Sequence, residues 1–123
     1  PNLIKIGSFS SEAGYKIMKK FIIELGDKLP PAFFAANDAL ASGALRALQE
    51  AKIPVPERVS LISFNDTSLA KYMYPKLSTV TVFTEEMGKQ AIQILEQSFQ
   101  KDSSSVPYMV KLATRLTIRE SSL

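Results

Sequence analysis

The most chemically informative feature of the sequence is a pair of Asn-Asp dipeptides, each of which directly follows an apolar run. The first is Asn37-Asp38 and the second is Asn65-Asp66. An amide side chain offers donors and an acceptor together, and a carboxylate accepts two hydrogen bonds. This combination of groups suits a neutral, polyhydroxylated ligand, because each hydroxyl of such a ligand both donates and accepts.

Two further readings of these dipeptides stay open. Asn and Asp are preferred N-cap and turn residues, so each dipeptide could simply begin a helix or a turn. We expect Asp38 to be the cap and Asn37 to be the ligand group, since the residue before a cap is freer to point outward. Two acids could also serve glycoside hydrolysis, but no apolar pocket or charged partner is evident that would raise the pKa of Asp38 or Asp66.

The composition removes most catalytic chemistry. The chain has 123 residues with no histidine and no cysteine, which excludes the commonest general base, thiolate catalysis and Cys-ligated metals. None of the five glycines lies in a phosphate-binding pattern. With 46% hydrophobic and 22% charged residues, residues 1–123 are expected to form a single domain. We predict no enzyme activity, no metal and no cofactor.

The charge pattern argues against direct binding of nucleic acid. The net charge is +3, but the densest basic group (Lys16, Lys19 and Lys20) lies on one predicted helix as its solvent face. Phosphate binding needs a concentrated basic stripe. No apolar run is long enough to span a membrane, and no secretory signal is visible, so we expect a cytoplasmic protein with no membrane partner.

Apolar runs alternate with helical periodicity along the chain, which predicts an α/β fold with a mostly parallel sheet flanked by helices. The predicted strands are 4–9, 32–36, 59–64, 77–83, 106–112 and 115–118, with a polar loop at 101–105. The predicted helices are 12–25, from 37 or 38 to 51, and from 84 onward. The continuous apolar runs at 32–36, 59–64 and 77–83 indicate strands buried on both faces. Gly43 lies inside a predicted helix, where a close approach of another backbone would explain it.

Five segments, in order, resemble the LacI/GalR family of bacterial transcription regulators. They are 37–48 (NDALASGALRAL), 53–66 (IPVPERVSLISFND), 75–80 (PKLSTV), 86–88 (EMG) and 116–121 (LTIRES). The resemblance runs from about Gly7 to the C-terminus. It implies the C-terminal lobe of an effector-binding domain with the class I periplasmic-binding-protein fold.

The resemblance implies a sugar-responsive regulator, a repressor with a galactose-type effector, that acts as a homodimer. In the family, operator DNA is contacted through a helix-turn-helix domain, which is not among these residues, and neither is most of the N-terminal lobe. The alternative reading is a periplasmic-type sugar-binding protein of a transport system.

The resemblance also implies site residues. Asn37 corresponds to a ligand-contacting Asn, Asn65 falls where many members have a ligand-contacting Asp, and Phe9 matches an aromatic that lines the sugar pocket. Asp66 completes the expected ligand set. The residues implied at the dimer interface are Tyr15, Ser42, Arg46, Leu69, Tyr72 and Met73. The helix from Thr84 would cross to the other lobe in the family, so here its apolar stripe must dock elsewhere, swap with a neighbour or remain exposed.

Overall fold

A computed structural model describes residues 3–99, 106–107 and 109–123. Within these residues, four α-helices alternate with four strands, and a short 3-10 helix, Gly26–Lys28, follows the first helix. The helices are α1 (Ser11–Leu25), α2 (Asp38–Glu50), α3 (Ser68–Tyr72) and α4 (Thr84–Phe99). The strands are β1 (Ala32–Phe34), β2 (Ser60–Asn65), β3 (Ser78–Thr81) and β4 (Arg115–Thr117).

The four strands form one sheet in the order β1-β2-β3-β4. β1, β2 and β3 are mutually parallel, and β4 pairs antiparallel with β3. The register places Phe34 opposite Ile62, and Asn65 opposite Thr81. The predicted mostly parallel α/β sheet is therefore confirmed.

Helices α1 and α2 pack against each other with their backbones in contact. Ser10 caps α1 by accepting a 3.2 Å hydrogen bond from the Ala13 amide. A Cβ on Gly43 would collide with the carbonyl oxygen of Ser11, and one on Gly14 would collide with that of Leu40. The close approach predicted at Gly43 is thus confirmed, and it explains a residue that otherwise weakens a helix.

The hydrophobic core lies between these helices and one face of the sheet. Leu48 of α2 and Leu61 of β2 are fully buried there, and the ring of Phe21 in α1 lies 5.4 Å from that of Phe33 in β1, tilted by 55°. Burial alternates along β2, where Leu61 and Ser63 are buried while Ile62 and Phe64 are only partly covered. Alternation of this kind shows that helices cover one face of the sheet in the described part of the chain.

The expectation of strands buried on both faces is therefore wrong for β1 and β2, whereas β3 begins with two consecutive buried residues, Ser78 and Thr79. Phe34 remains 64% exposed on β1, and Leu116 of β4 lies on the same open face at 53% exposed. The predicted strand at 4–9 is also absent, since residues 3–8 have no strand structure. Ile4 and Ile6 are largely exposed, and a groove of about 310 Å³ lies between this segment, α1 and β1. The segment gains little apolar burial there, which is the main stabilising term for an edge strand.

Near the C-terminus the prediction is half right. The strand predicted at 115–118 is confirmed as β4, whereas residues 106–107 and 109–112 are not in a strand. Pro107 cannot donate to a ladder, and Val106 and Met109 are exposed, so no burial favours pairing. The predicted loop at 101–105 lies outside the described residues.

Helix α4 is formed as predicted, but none of its residues is buried. The apolar stripe faces solvent, with Met87, Leu95 and Phe99 all exposed. The helix does not dock on the rest of the described chain, which leaves exposure or exchange with a neighbour among the three anticipated outcomes. Among the residues that the structure describes, no helix has the length and apolar composition needed to cross a membrane.

Candidate ligand site at the carboxyl ends of the strands

Asn37 lies just beyond β1 and is the N-cap of α2. Its Oδ1 accepts a 2.8 Å hydrogen bond from the Leu40 amide. The expectation that Asp38 would cap this helix is therefore wrong, because Asp38 is turned into the core instead. The cap occupies only the carbonyl oxygen of Asn37, so its Nδ2 amino group is the atom left for a ligand. Asn37 is partly exposed.

Asn65 ends β2 at the same edge of the sheet. Phe34 and Ile62 are register partners in parallel strands, and each asparagine lies three positions beyond one of them. Asn65 has a φ of 106°, outside the regions that most side chains adopt, and is partly exposed. In the described part of the chain its side-chain amide makes no hydrogen bond. The structure therefore brings Asn37 and Asn65 to one rim of the sheet, and both residues are partly exposed.

Asp66 follows with a φ of 61° and is held within the chain. Its Oδ2 accepts a 2.9 Å hydrogen bond from the Thr81 hydroxyl, and its Oδ1 lies 2.7 Å from Nη2 of Arg119 as an ion pair. Burial raises the pKa of Asp66, but the Thr81 hydroxyl and the Arg119 charge outweigh it and leave that pKa below its ordinary value. Both carboxylate oxygens face partners in the protein, which suits Asp66 to anchoring the loop after β2.

Asp38 is 1% exposed and receives four hydrogen bonds. The Ser63 and Thr79 hydroxyls donate to Oδ1, the latter at 3.1 Å. The Thr67 amide and hydroxyl donate to Oδ2 at 2.6 and 2.8 Å. This carboxylate therefore joins the start of α2 to the strands and to the loop that follows Asn65.

Phe9 precedes the Ser10 cap of α1 and is 71% exposed. The N-terminal halves of α1 and α2 touch, with the Ser11 and Ser42 hydroxyls 2.6 Å apart. Phe9 and Asn37 therefore lie at the starts of neighbouring helices. An exposed aromatic ring of this kind offers an apolar surface.

The six residues expected at a dimer interface lie on α1, α2 and the α3 region, which pack in series. Tyr72 and Leu69 are exposed, at 87% and 39%, whereas Met73 packs against the core. Ser42 lies between α1 and α2, with its hydroxyl donating to the Ala39 carbonyl oxygen at 2.8 Å.

Tyr15 and Arg46 meet at one carboxylate on this surface. The Tyr15 hydroxyl and the Arg46 Nε each lie 2.7 Å from an oxygen of Glu50. The hydrogen bond from Tyr15, followed by that from Arg46, lowers the pKa of Glu50. The result is a charged network on an exposed face.

The residues that bind the two aspartates escaped the sequence analysis. Thr67, Thr79 and Arg119 hold the two aspartates, yet none was singled out. A usable signal exists in Ser63 and Thr79, which lie inside otherwise apolar strands. Because a buried hydroxyl needs a partner, such residues indicate a polar group on a facing element.

A family model for the periplasmic binding protein-like domain matches residues 2–122. The chain belongs to this family. Among its curated relatives is the HTH-type transcriptional regulator GalR of Lacticaseibacillus casei, 50% identical over 118 residues. That alignment covers 96% of this chain and 35% of the relative, so the chain spans about a third of that regulator's length.

Solved structures of family members agree. A transcriptional regulator CelR–cellobiose complex superposes with a TM-score of 0.86 and 29% identity, covering 97% of this chain and 36% of that one. The Lac repressor dimer bound to operator and the anti-inducer ONPF gives a TM-score of 0.84 and 26% identity, covering 95% and 40%. The resemblance of this periplasmic-binding-protein-like chain to LacI/GalR regulators is confirmed.

Proposed function

We propose that this chain is the part of a sugar-responsive transcription regulator that supplies half of an effector pocket and half of a dimer contact. The observation that carries the proposal is the placement of Asn37 and Asn65 on one edge of adjacent parallel strands. In open parallel sheets, ligands bind beyond the carboxyl ends of the strands. The protein acts in the cytoplasm as a repressor and is not an enzyme.

The effector is a neutral saccharide of the galactose type. Asn37 donates through Nδ2, and Asn65 both donates and accepts, so the pair can bind vicinal hydroxyls. Phe9 provides the apolar face on which the ring lies. A neutral amide at position 65 requires no counter-charge from the ligand. Support also comes from the relative named GalR and from the cellobiose bound to CelR.

The regulatory mechanism follows from linkage. An effector changes operator affinity only to the extent that it binds two conformations of the protein unequally. Operator DNA is contacted by a part of the protein outside these residues. The surface formed by α1, α2 and the α3 region transmits the change, because its Tyr15–Glu50–Arg46 network and the exposed Tyr72 face the second copy.

Calorimetric titration of the protein, expressed from its complete reading frame, tests the ligand proposal. D-galactose and galactosides are expected to bind in competition with one another, and D-glucose is expected to bind more weakly. Replacing the amino group of Asn37 in Asn37→Asp should weaken galactose binding about tenfold or more, since a ligand hydroxyl loses its donor. Saccharide binding that is indifferent to Asn37→Asp would refute the assigned site.

The regulator proposal also makes a claim about the gene. The reading frame upstream of these residues is expected to encode a helix-turn-helix domain. A secretory signal in its place would instead indicate a transport binding protein. A frame with neither feature would also contradict the regulator proposal.

The dimer contact has a separate test. Tyr72→Ala should weaken the dimer about thirtyfold in sedimentation analysis, because exposed tyrosines commonly dominate interfaces. Phe34→Ala is the matched control, since Phe34 is an exposed aromatic on the open face of the sheet. Equal effects of the two substitutions would place the interface elsewhere.

A further inference from the structure

The two oxygens of the buried Asp38 carboxylate bind different parts of the fold. Oδ1 accepts from the Ser63 and Thr79 hydroxyls, which belong to the buried faces of β2 and β3. Oδ2 accepts from the amide and the hydroxyl of Thr67, which is exposed in the loop after β2. Oδ1 therefore binds groups in the core, whereas Oδ2 binds the loop at the rim of the sheet.

The backbone next to Thr67, the residue that Oδ2 of Asp38 binds, is strained. Asn65 and Asp66 have consecutive positive φ angles of 106° and 61°. Each such residue costs about 1 kcal/mol or more and persists only where surrounding contacts enforce it. Thr67 fixes the segment on the Asp38 side, and Asp66 fixes it through Thr81 and Arg119 on the other.

We propose that Asp38 is a positioning residue that sets the distance and orientation between Asn37 and Asn65. Asp38 is the chain neighbour of Asn37, and through Oδ2 it grips Thr67, two residues beyond Asn65. One carboxylate thus fixes both amides relative to each other without touching the ligand. The inference rests on the proposed function for its ligand readout, and its conformational readout is independent of any ligand.

Two matched substitutions test the roles of the two carboxylate oxygens separately. Thr67→Val and Thr79→Val each remove one hydroxyl that donates to Asp38, at 2.8 and 3.1 Å respectively. Thr67→Val is expected to weaken D-galactose binding about tenfold with little change in Tm. Thr79→Val is expected to lower Tm while leaving the Kd for galactose within about twofold, since only a buried contact to the strands is lost.

The ligand-independent readout is the set of backbone amide resonances of Asn65 and Asp66. Thr67→Val is expected to shift them, and Thr79→Val is expected to leave them in place. The proposal is overturned if the two variants affect these resonances alike, or if Thr67→Val changes neither the resonances nor the galactose affinity. If the unmodified protein binds no saccharide, the proposed function fails, and the resonances still decide whether Asp38 positions Asn65.

Discussion

Oδ1 of Asn37 accepts a hydrogen bond of 2.8 Å from the backbone amide of Leu40. One side chain therefore serves two purposes, since its oxygen caps α2 and its nitrogen is available at the rim of the sheet. The two purposes can be separated chemically, because aspartate caps helices as well as asparagine does but carries no donor.

Asn37→Asp is accordingly expected to leave the free energy of unfolding nearly unchanged while weakening galactose binding about tenfold. Asn37→Ala, which removes the cap as well, should cost about 1 kcal/mol in urea unfolding in addition to the lost affinity. Should Asn37→Asp destabilise the protein as much as Asn37→Ala, the cap and the ligand contact would not be separable in this way.

Substitution of Asn65 is expected to affect stability and saccharide binding in opposite directions. Its φ of 106° suits glycine, so Asn65→Gly should stabilise the protein by up to about 1 kcal/mol by relieving strain. The same change removes the side-chain amide and should abolish most saccharide binding. Urea unfolding and calorimetry on one preparation give both values. Loss of stability in Asn65→Gly would mean that the asparagine side chain, and not the loop contacts, maintains this backbone.

The lowered pKa of Asp66 predicts how the stability of the fold changes in acid. Its folded-state pKa lies below the ordinary value of 3.8, so ionised Asp66 stabilises the fold above that pH. This contribution is lost as the pH falls from about 4 through the lower folded-state pKa. Thermal unfolding between pH 7 and pH 3 should therefore show a shallower acid loss in Asp66→Asn, which starts from a lower Tm at pH 7.

Glu120 supplies the control for this experiment. Its pKa is also lowered, first by the Lys76 amide, but its carboxylate is exposed and its ion pair with Lys76 is 3.4 Å long. Exposed pairs contribute little, so Glu120→Gln should follow the unmodified profile closely. Parallel profiles for Asp66→Asn and the unmodified protein would contradict the role given to the Asp66–Arg119 pair.

Replacement by alanine is expected to have different effects on stability at Gly43 and at Gly88. Gly43→Ala drives a methyl group into the Ser11 backbone and should destabilise the protein by about 1–3 kcal/mol. Gly88→Ala, on the exposed helix α4 with nothing near its Cβ position, should be neutral or raise helicity. Circular dichroism and chemical unfolding distinguish the two. A tolerated Gly43→Ala would contradict the direct backbone contact of α1 and α2.

Much of the fold is predictable because its signals are local. The periodicity of 12–25 and from 84 onward, and the β-branched run at 77–83, depend on near neighbours in sequence. Two-sided burial of Phe34 was wrong because burial on the second face depends on what packs there, and no local pattern encodes that. The unformed strand at 4–9 has the same origin.

The site shows the same division. The shared rim of Asn37 and Asn65 follows from two parallel strands and was predictable. The exchange of roles between Asn37 and Asp38 was not, since both residue types cap helices equally well. Three distant hydroxyl-bearing residues, Ser63, Thr67 and Thr79, draw Asp38 inward, and that choice is made only by tertiary structure.

The most direct test of the proposed ligand site is an NMR titration of side-chain amides. The Asn37 and Asn65 NH₂ resonances of the complete protein are followed while D-galactose is added, with D-glucose as the comparison. The account predicts that both NH₂ pairs shift together and saturate with one Kd. Saturable galactose binding that leaves both pairs unmoved would contradict it.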